Sequence, residues 1–379
     1  METGLAPPDT DSLEISLFGP GYGECIVIHL GLNDWIVVDS CIEPISREPV
    51  ALAYFKTIGV NAFRIRLVVA THWDDDHISG ISDVLRQATK AQFVCSSAMT
   101  SGEFRAVLSQ WKPKSIIPGG SGIDEFDRVT DILADRAVDT KYPTPRLAHA
   151  QSMLWERQEP IPAEVRALSP SDAADMSAIA ELAGIRKSDR RQRRRLPYID
   201  GNHTSVVMSI RAGTASALLG ADLEIRADRS LGWYAVTDHA TNKADHEAYK
   251  IAHHGSANAD NSEIWDQLLV NNPLTALTPF CRAGVLLPTC DDSDRILGRS
   301  TRSYLTAPAT KKRYRTRDYV VQKTIDEITL QTCAIPNGFG HIRLRKKVNG
   351  SNWEVSCIGS ALPLERFVRQ HCRRQKAKK

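Results

Sequence analysis

The stretch that decides the fold is Thr71-His72-Trp73-Asp74-Asp75-Asp76-His77-Ile78-Ser79-Gly80. It follows directly on the apolar run Ile65–Ala70, which is typical of a short, buried strand. A tight loop at a strand end can direct His72 and Asp74 to one side and Asp76 and His77 to the other. Three successive carboxylates beside a packed core cost free energy unless a cation neutralises them. The stretch therefore predicts a metal site rather than an exposed acidic turn.

Strand and helix patterns alternate on both sides of this stretch. Three apolar runs precede it as an antiparallel meander: Leu13–Phe18, Cys25–Leu30 and Trp35–Val38. Helix patterns flank it at Val50–Thr57 and Ile78–Thr89. Strand patterns return at Ser205–Ile210, Ala215–Leu219, Ala248–Ala252 and Leu274–Thr278, with a helix pattern at Ser262–Val270. Because meander, helix, strand, loop and helix occur once in each half of the chain, the pattern predicts two facing αβ halves.

The ends of the chain differ in composition from its middle. Residues 1–11 are predicted to be a disordered leader, and residues 12–310 the main domain. Residues 311–365 are predicted to be a β-rich extension packed on that domain, with strand-like pieces that include Tyr319–Val321 and Glu327–Gln331. Residues 366–379 contain no acidic side chain and form a basic tail.

Bulk composition excludes several classes of protein. The chain has 379 residues, a net charge of +3 and eight cysteines without a CxxC pair, so we expect reduced, mostly buried thiols rather than a disulfide framework. No window reaches the roughly 18 apolar residues that a membrane span needs, and no signal peptide is recognisable. A soluble, cytoplasmic protein without a membrane partner is predicted.

Positive charge is concentrated in three runs: Arg186–Arg195, Lys311–Arg317 and Arg366–Lys379. Each run has two interpretations. It is either a solvated loop or tail, or a surface that holds phosphates near an active site with a strong dependence on salt.

The stretch from 72 to 77 resembles the His-x-His-x-Asp-His signature of the metallo-β-lactamase superfamily. It is more similar still to the His-x-Asp-x-Asp-His form in the hydrolase domain of the ComEC/Rec2 competence proteins and their stand-alone relatives. Further segments fit that group in the same order: residues 13–39, Asn202–Val207, Leu218–Glu224 and His253–Ser256. The resemblance implies an α/β fold, namely a four-layer αβ/βα metallo-β-lactamase sandwich.

The resemblance also implies a set of site residues. The metal ligands would be His72, Asp74, Asp76, His77, Asp222, and one or both of His253 and His254. Asp222 would bridge two metals. Asp39 and Ser205 would support the ligands from behind, and Asp39 would orient the metal-binding loop. Asp76 would also orient or deprotonate the attacking water. Lys250, Arg282 and Arg194 are candidates for substrate binding.

The chain departs from the family pattern on one side of the site. Asp74 stands where a second histidine is usual, and this hard oxygen ligand favours Mn²⁺ or Mg²⁺ or weakens zinc binding. Ser169 aligns with the mid-chain histidine of the family, for which His149 and His203 are possible replacements. We expect one or two divalent ions, zinc or manganese with magnesium as a further option, and a first site (His72, Asp74) poorer than the second.

These features predict a metal-dependent hydrolase. The favoured substrate is a phosphodiester in a nucleic acid or a nucleotide, because basic runs and a hard metal site suit phosphate. Two alternatives stay open. One is an acyl-ester, lactone or β-lactam hydrolase of the same fold. The other is a degenerate sensor or scaffold in a multi-protein system, for instance in defence against phage.

Overall fold

A computed structural model describes residues 5–19, 23–44, 46–102, 104, 122–187, 201–240, 245–282, 284–309, 320–321, 324, 328 and 339–373. Two eight-stranded sheets form its centre. The first contains, in spatial order, Glu354–Gly359, Gly340–Lys347, Ser12–Gly19, Cys25–Leu30, Trp35–Val38, Ile65–Val69, Gln92–Ser96 and Arg146–Ala148. The second contains Leu362–Pro363, Ser303–Leu305, Leu269–Leu277, His246–Lys250, Ala215–Leu219, Met208–Ala212, Ala163–Ala167 and Met153–Arg157.

The two sheets pack face to face and helices cover their outer faces. The inner faces share one apolar core, to which alternate residues such as Ile15, Ile28, Val165 and Ile210 contribute. The described helices are Val50–Ile58, Asp75–Ile78, Ile81–Gln87, Gly122–Ala137, Asp172–Lys187, Gly232–Asp238, Ser262–Leu268, Cys290–Arg299 and Leu364–Phe367. Separate cores lie between each sheet and its helices. The predicted four-layer αβ/βα sandwich is confirmed.

Strand directions explain why the site lies at one edge of the sandwich. The meander strands pair antiparallel, but Trp35–Val38, Ile65–Val69 and Gln92–Ser96 run parallel to one another. In the second sheet, Ala215–Leu219 and His246–Lys250 are also parallel. The loops after the carboxyl ends of parallel strands meet at a shared edge, where layered α/β proteins gather ligands.

Sequence patterns and observed elements agree closely, with three differences. The helix pattern Ile78–Thr89 is two helices, because Gly80 adopts a left-handed conformation (φ 82°) between them. Val320, Val321 and Ile328, which lie in the strand-like pieces, have helical backbone instead. Local apolar alternation does not distinguish a short strand from one face of a helix.

The third difference concerns the cysteines. Cys290 and Cys372 form a disulfide that joins the helix Cys290–Arg299 to the last described turn of the chain. The expectation of reduced thiols is therefore wrong for this pair, since sequence spacing does not show which side chains fold side by side. Five other described cysteines are free thiols: Cys25, Cys41, Cys95, Cys281 and Cys357.

Residues near the chain ends join the main sheets. Gly340–Lys347 pairs with Ser12–Gly19 along its whole length, and Leu362–Pro363 pairs with Ser303–Leu305 in the second sheet. Residues 5–11 are described and lie beside this edge. The domain boundaries at 310 and 365 stay predictions. No described helix is long and apolar enough to cross a membrane.

Candidate metal centre

Four loops bring the predicted ligands together at the shared edge. They follow the strands Trp35–Val38, Ile65–Val69, Ala215–Leu219 and His246–Lys250. Three of them contain residues other than glycine in a left-handed conformation: Asp39 (φ 57°), Ala221 (φ 45°), His253 (φ 47°) and His254 (φ 54°). Such backbone costs of order 1–3 kcal/mol per residue and persists where the surrounding structure holds it, commonly at functional sites.

The donors of the second predicted site form one buried cluster. The Nε2 atom of His254 lies 3.3 Å from Oδ2 of Asp76 and 3.4 Å from Oδ2 of Asp222. His77 Nε2 lies 3.4 Å from the same Asp222 oxygen and 3.8 Å from Asp76 Oδ2. Two carboxylates and two imidazoles therefore converge, the number and type of donors that a tetrahedral zinc or a similar cation accepts.

His72 joins this cluster from the other side. A donor atom of His72, one of His77 and one of Asp222 lie within 4.8 Å of one another, and the rings of His72 and His77 are 4.2 Å apart. Asp74 precedes the short helix Asp75–Ile78 and is half-buried. It belongs to none of the three-residue donor sets found among the described residues.

Hydrogen bonds determine which nitrogen each histidine presents to the cluster. Asp39 Oδ2 accepts a bond from Nδ1 of His77 (2.7 Å) and another from the Thr71 hydroxyl (2.7 Å). Because that hydroxyl donates to Asp39, it can only accept from Nδ1 of His72, at 2.9 Å. Both histidines therefore carry their proton on Nδ1 and direct the Nε2 lone pair at the cluster.

His254 is held in the same way from the opposite loop. Its Nδ1 lies 3.2 Å from the carbonyl oxygen of Thr278, which can only accept. In the described structure the Nε2 atoms of His72, His77 and His254 are buried and have no hydrogen-bond partner. Three buried Nε2 atoms without a hydrogen-bond partner beside two carboxylates are costly without a cation, so these residues fit a divalent metal ion.

Charge in the cluster is balanced by protons when no cation is bound. Burial opposes the charged form of His254, but Asp222 and Asp76 outweigh it and raise the pKa of His254 to about 9. The same carboxylates, with Asp39, raise the pKa of His77 well above its ordinary value. Burial also opposes ionisation of Asp76, yet His77 and His254 lower its pKa. A cation would take the place of these protons.

His72 has the opposite character. Burial, followed by the charge of His77, lowers the pKa of His72 to about 3. It is therefore neutral at physiological pH, with its Nε2 lone pair free for a metal.

The structure also shows the surroundings of His253, Ser205 and Ser169. His253 lies outside the cluster: its Nδ1 is 3.1 Å from Asn258 Oδ1 and 3.3 Å from Glu224 Oε1. Of the His pair, the structure thus brings only His254 to the other donors. The Ser205 hydroxyl is buried, and the Ser205 carbonyl accepts from the Ser169 hydroxyl at 2.6 Å. Ser169 thus fixes the backbone next to the site and presents no imidazole.

Neither candidate replacement for a mid-chain histidine belongs to a donor set of the described residues. His149 is exposed. His203 is buried with Nε2 3.9 Å from Glu181 Oε2, and it belongs to none of the described donor sets.

The three candidates for substrate binding also differ. Lys250 is buried against Glu24, at 2.6 Å between Nζ and Oε1, so its ammonium points at the ligands from behind rather than at solvent. Arg282 ends the short strand Phe280–Arg282 of the hairpin beside His254, whose ring is 5.3 Å from that of Phe280. The side chain of Arg282, Arg194 in its basic run, and the run Lys311–Arg317 lie outside the described residues.

Glu24 is the residue that sequence reasoning missed. Its side chain is fully buried between Lys250 and Thr278, behind the ligands. A charged residue inside the otherwise apolar meander, directly before the strand Cys25–Leu30, was the available signal.

Comparison with known proteins agrees with this geometry. Residues 18–161 match the family model of the metallo-beta-lactamase superfamily. This segment contains the whole cluster from 72 to 77, and the sandwich is the fold of that superfamily. Over this segment the chain is therefore similar to the metallo-beta-lactamase superfamily.

Several solved structures are similar to the chain at low sequence identity. The metallo-beta-lactamase fold protein YhfI from Bacillus subtilis is 9% identical, with 78% of this chain and 95% of that one covered and a TM-score of 0.36. Metallo-beta-lactamase SMB-1 is 13% identical, with 65% and 81% covered and a TM-score of 0.34. Zn(2+)-bound PqqB from Methylobacterium extorquens is 11% identical, with 60% and 56% covered and a TM-score of 0.28. No curated protein sequence is significantly similar to this chain.

Proposed function

We propose that this protein is a metal-dependent hydrolase whose substrate is a phosphodiester in a nucleic acid or a nucleotide. The observation that carries the proposal is the convergence of three unpartnered imidazole Nε2 atoms on the carboxylates of Asp76 and Asp222. Members of the metallo-beta-lactamase superfamily are usually hydrolytic metalloenzymes. Asp76, His77, Asp222 and His254 would hold one ion, and His72 would contribute to a second.

Each side chain then has a definite task. A bound divalent cation would act as a Lewis acid and lower the pKa of a water molecule towards neutrality. Asp76 is one of the two carboxylates of the cluster, and its free oxygen would orient this water and hold the proton that it loses. Asp39 and Thr71 keep the histidines in one tautomer. The ring of Trp73 packs on that of Phe104 at 5.2 Å and provides an apolar wall beside the loop.

Two features favour phosphate over an acyl group. Carboxylates provide a large share of the donors, and hard oxygen ligands suit Mn²⁺ and Mg²⁺, the usual partners of phosphates. Described residues on either side of the basic run Arg186–Arg195 contact residues near the site. The helix Asp172–Lys187 lies beside His203 through Glu181, and a side chain at Gly201 would come within 3.0 Å of the Trp73 ring. The likeness to stand-alone ComEC/Rec2 relatives is part of the same proposal.

The experiment is a metal and substrate screen on the full-length protein. Chelator-treated protein is reloaded with Mn²⁺, Zn²⁺ or Mg²⁺ and tested on single-stranded DNA, cyclic nucleotides, an acyl ester and a β-lactam. We expect phosphodiester turnover with Mn²⁺. Asp76→Asn should lower kcat by about 100-fold or more, which is the usual contribution of a positioned acid–base group. Asp83→Asn, an exposed aspartate on the next helix, is the matched control and should leave kcat unchanged.

Three results would contradict the proposal in different ways. Turnover of the acyl ester or β-lactam alone favours the acyl-hydrolase alternative. Metal binding without turnover of any substrate removes the phosphodiesterase assignment but keeps the metal centre. Less than about 0.2 metal per chain at saturating metal, where a complete site binds tightly, favours a scaffold role in a larger assembly.

A further inference from the structure

A buried ion pair lies directly behind the ligand cluster. The ammonium of Lys250 is 2.6 Å from Oε1 of Glu24, and the two side chains are 2% and 0% exposed. Lys250 ends the strand His246–Lys250 of the second sheet, and Glu24 directly precedes the strand Cys25–Leu30 of the first. The pair thus joins the two sheets at the edge that carries the site. A buried charge pair is often no more stabilising than apolar residues of similar size, so stability alone does not explain it.

Lys250 reaches the carboxylate of Asp222. Its Nζ lies 3.7 Å from Oδ1 of Asp222 and donates to the carbonyl of Ala221 at 3.0 Å. The other oxygen of Asp222, Oδ2, is the one that lies 3.4 Å from both His77 and His254. The carboxylate of an aspartate can rotate about its Cβ–Cγ bond unless its two oxygens have different partners. The ammonium distinguishes them by attracting Oδ1 and leaving Oδ2 for the histidines.

Glu24 connects Lys250 to the remaining ligand loops. Its backbone N–H donates to the carbonyl of Asp76 at 2.8 Å. Its Oε2 accepts from the Thr278 hydroxyl at 2.5 Å, and the Thr278 carbonyl is the partner of His254 Nδ1. One ion pair therefore contacts the loops of three ligands, which come from both halves of the chain.

We propose that Lys250, held by Glu24, is a positioning residue that fixes Asp222 with Oδ2 towards His77 and His254 before a metal ion binds. The inference rests on the proposed metal centre. Lys250 takes no part in substrate binding, because its ammonium lies behind the ligands and out of contact with solvent. Its ammonium lies between the carboxylates of Glu24 and Asp222, at 2.6 Å and 3.7 Å. Ligands that are already in place lower the conformational cost of binding a cation.

The experiment compares two double variants of the full-length protein. Glu24→Gln/Lys250→Met removes the pair without leaving a buried charge unpaired, which a single substitution would do. The matched control is Glu247→Gln/Lys346→Met. In the wild-type protein the ammonium of Lys346 lies 2.6 Å from Glu247, and the Lys346 side chain is 3% exposed. This pair contacts none of the ligands named above. Binding of Mn²⁺ and Zn²⁺ to chelator-treated protein is measured by titration calorimetry, and folding by circular dichroism and thermal unfolding.

We expect the Glu24/Lys250 variant to fold and to bind metal about 10–100-fold more weakly, as is typical when residues that orient ligands are replaced. The control pair should leave the affinity unchanged. Wild-type affinity in a folded Glu24/Lys250 variant would overturn the positioning role and leave the metal centre standing. A wild-type protein that binds no metal would overturn both. If the double variant does not fold, Glu24→Gln/Lys250→Gln, which also leaves no unpaired charge, is measured instead, and unchanged affinity there would equally overturn the role.

Discussion

The two sides of the candidate metal centre differ in how many donors the fold brings to them. On one side, the Nε2 atoms of His77 and His254 each lie 3.3 to 3.8 Å from Oδ2 of Asp76 and from Oδ2 of Asp222. On the other side, His72 is the one further residue that the donor sets of the described part of the chain bring to His77 and Asp222. Asp74 belongs to none of the donor sets found among the described residues, and a serine stands where the family pattern has a histidine.

This difference shows how a two-metal signature can yield an asymmetric site. The cluster from 72 to 77 supplies residues to both sides, but each side is completed by loops that are distant in sequence. The loops at 222 and 254 complete one side with buried donors. On the other side, the Ser169 hydroxyl donates to the backbone carbonyl of Ser205 and belongs to no donor set of the described residues. Among the described residues, this side therefore has fewer metal ligands. We therefore expect one tightly bound ion and one that binds weakly.

Replacing His254 should have the largest effect. His254→Ala removes one of four donors and should weaken metal binding by more than about 100-fold, beyond what loss of an orienting residue causes. His253→Ala, its neighbour in the chain, should change the affinity by less than about threefold, because its ring bonds to Asn258 instead. Metal content after dialysis and calorimetric affinity test both variants. Equal losses would mean that both histidines are ligands.

Asp39→Asn should have the next largest effect. The amide keeps the size of the carboxylate, but it replaces an oxygen that accepts from both Thr71 and His77 with a donor. We expect metal affinity to fall by about 10–100-fold with the fold retained. An amide N–H that faces Nδ1 of His77 would rotate the imidazole ring or shift its proton to Nε2. Titration calorimetry and circular dichroism on the same preparation measure this. An unchanged affinity would show that His77 needs no support from Asp39.

Variants on the other side of the centre should have smaller effects. His72→Ala should remove the weaker ion and lower affinity for the tighter one by about tenfold or less, the lower end of the range for residues next to a metal. Asp74→Ala should have less effect than His72→Ala. Stoichiometry at high and low metal concentration separates the two ions. A larger loss for Asp74→Ala than for Asp76→Ala would reverse the assignment of the complete side.

Acid should lower the free energy of unfolding through two buried histidines that lie outside the metal centre. Burial lowers the pKa of His29 to about 4 and that of His341 to about 3. The unfolded chain binds protons at these residues below about pH 6.5, whereas the folded protein stays unprotonated there, so the free energy of unfolding falls as pH falls. We expect a loss of about 1–2 kcal/mol per histidine at pH 5 relative to pH 7. Urea unfolding of His341→Gln should show a shallower pH dependence than the wild type. An identical slope would contradict the assignment.

Much of the fold was predictable because its signals are local. The alternation of Leu13–Phe18 and the buried run Ile65–Ala70 follow from side-chain period, and both strands were found where expected. Val320 and Val321 show the limit, since short apolar pieces fit a strand or a helix equally well. The disulfide between Cys290 and Cys372 was not predictable, because the two residues are separated by 82 positions and adjoin only after folding.

The sequence by itself determined which residues are able to bind a metal and the fold that would collect them. Residue type and the spacing from 72 to 77 are local chemistry, and they are visible without coordinates. The tertiary structure decided which of these residues face one another. It separated His254 from His253 and placed the Glu24–Lys250 pair behind Asp222. These outcomes depend on loops that pack across two sheets, and the direction of a side chain in such a loop is set by distant contacts rather than by its neighbours in the chain.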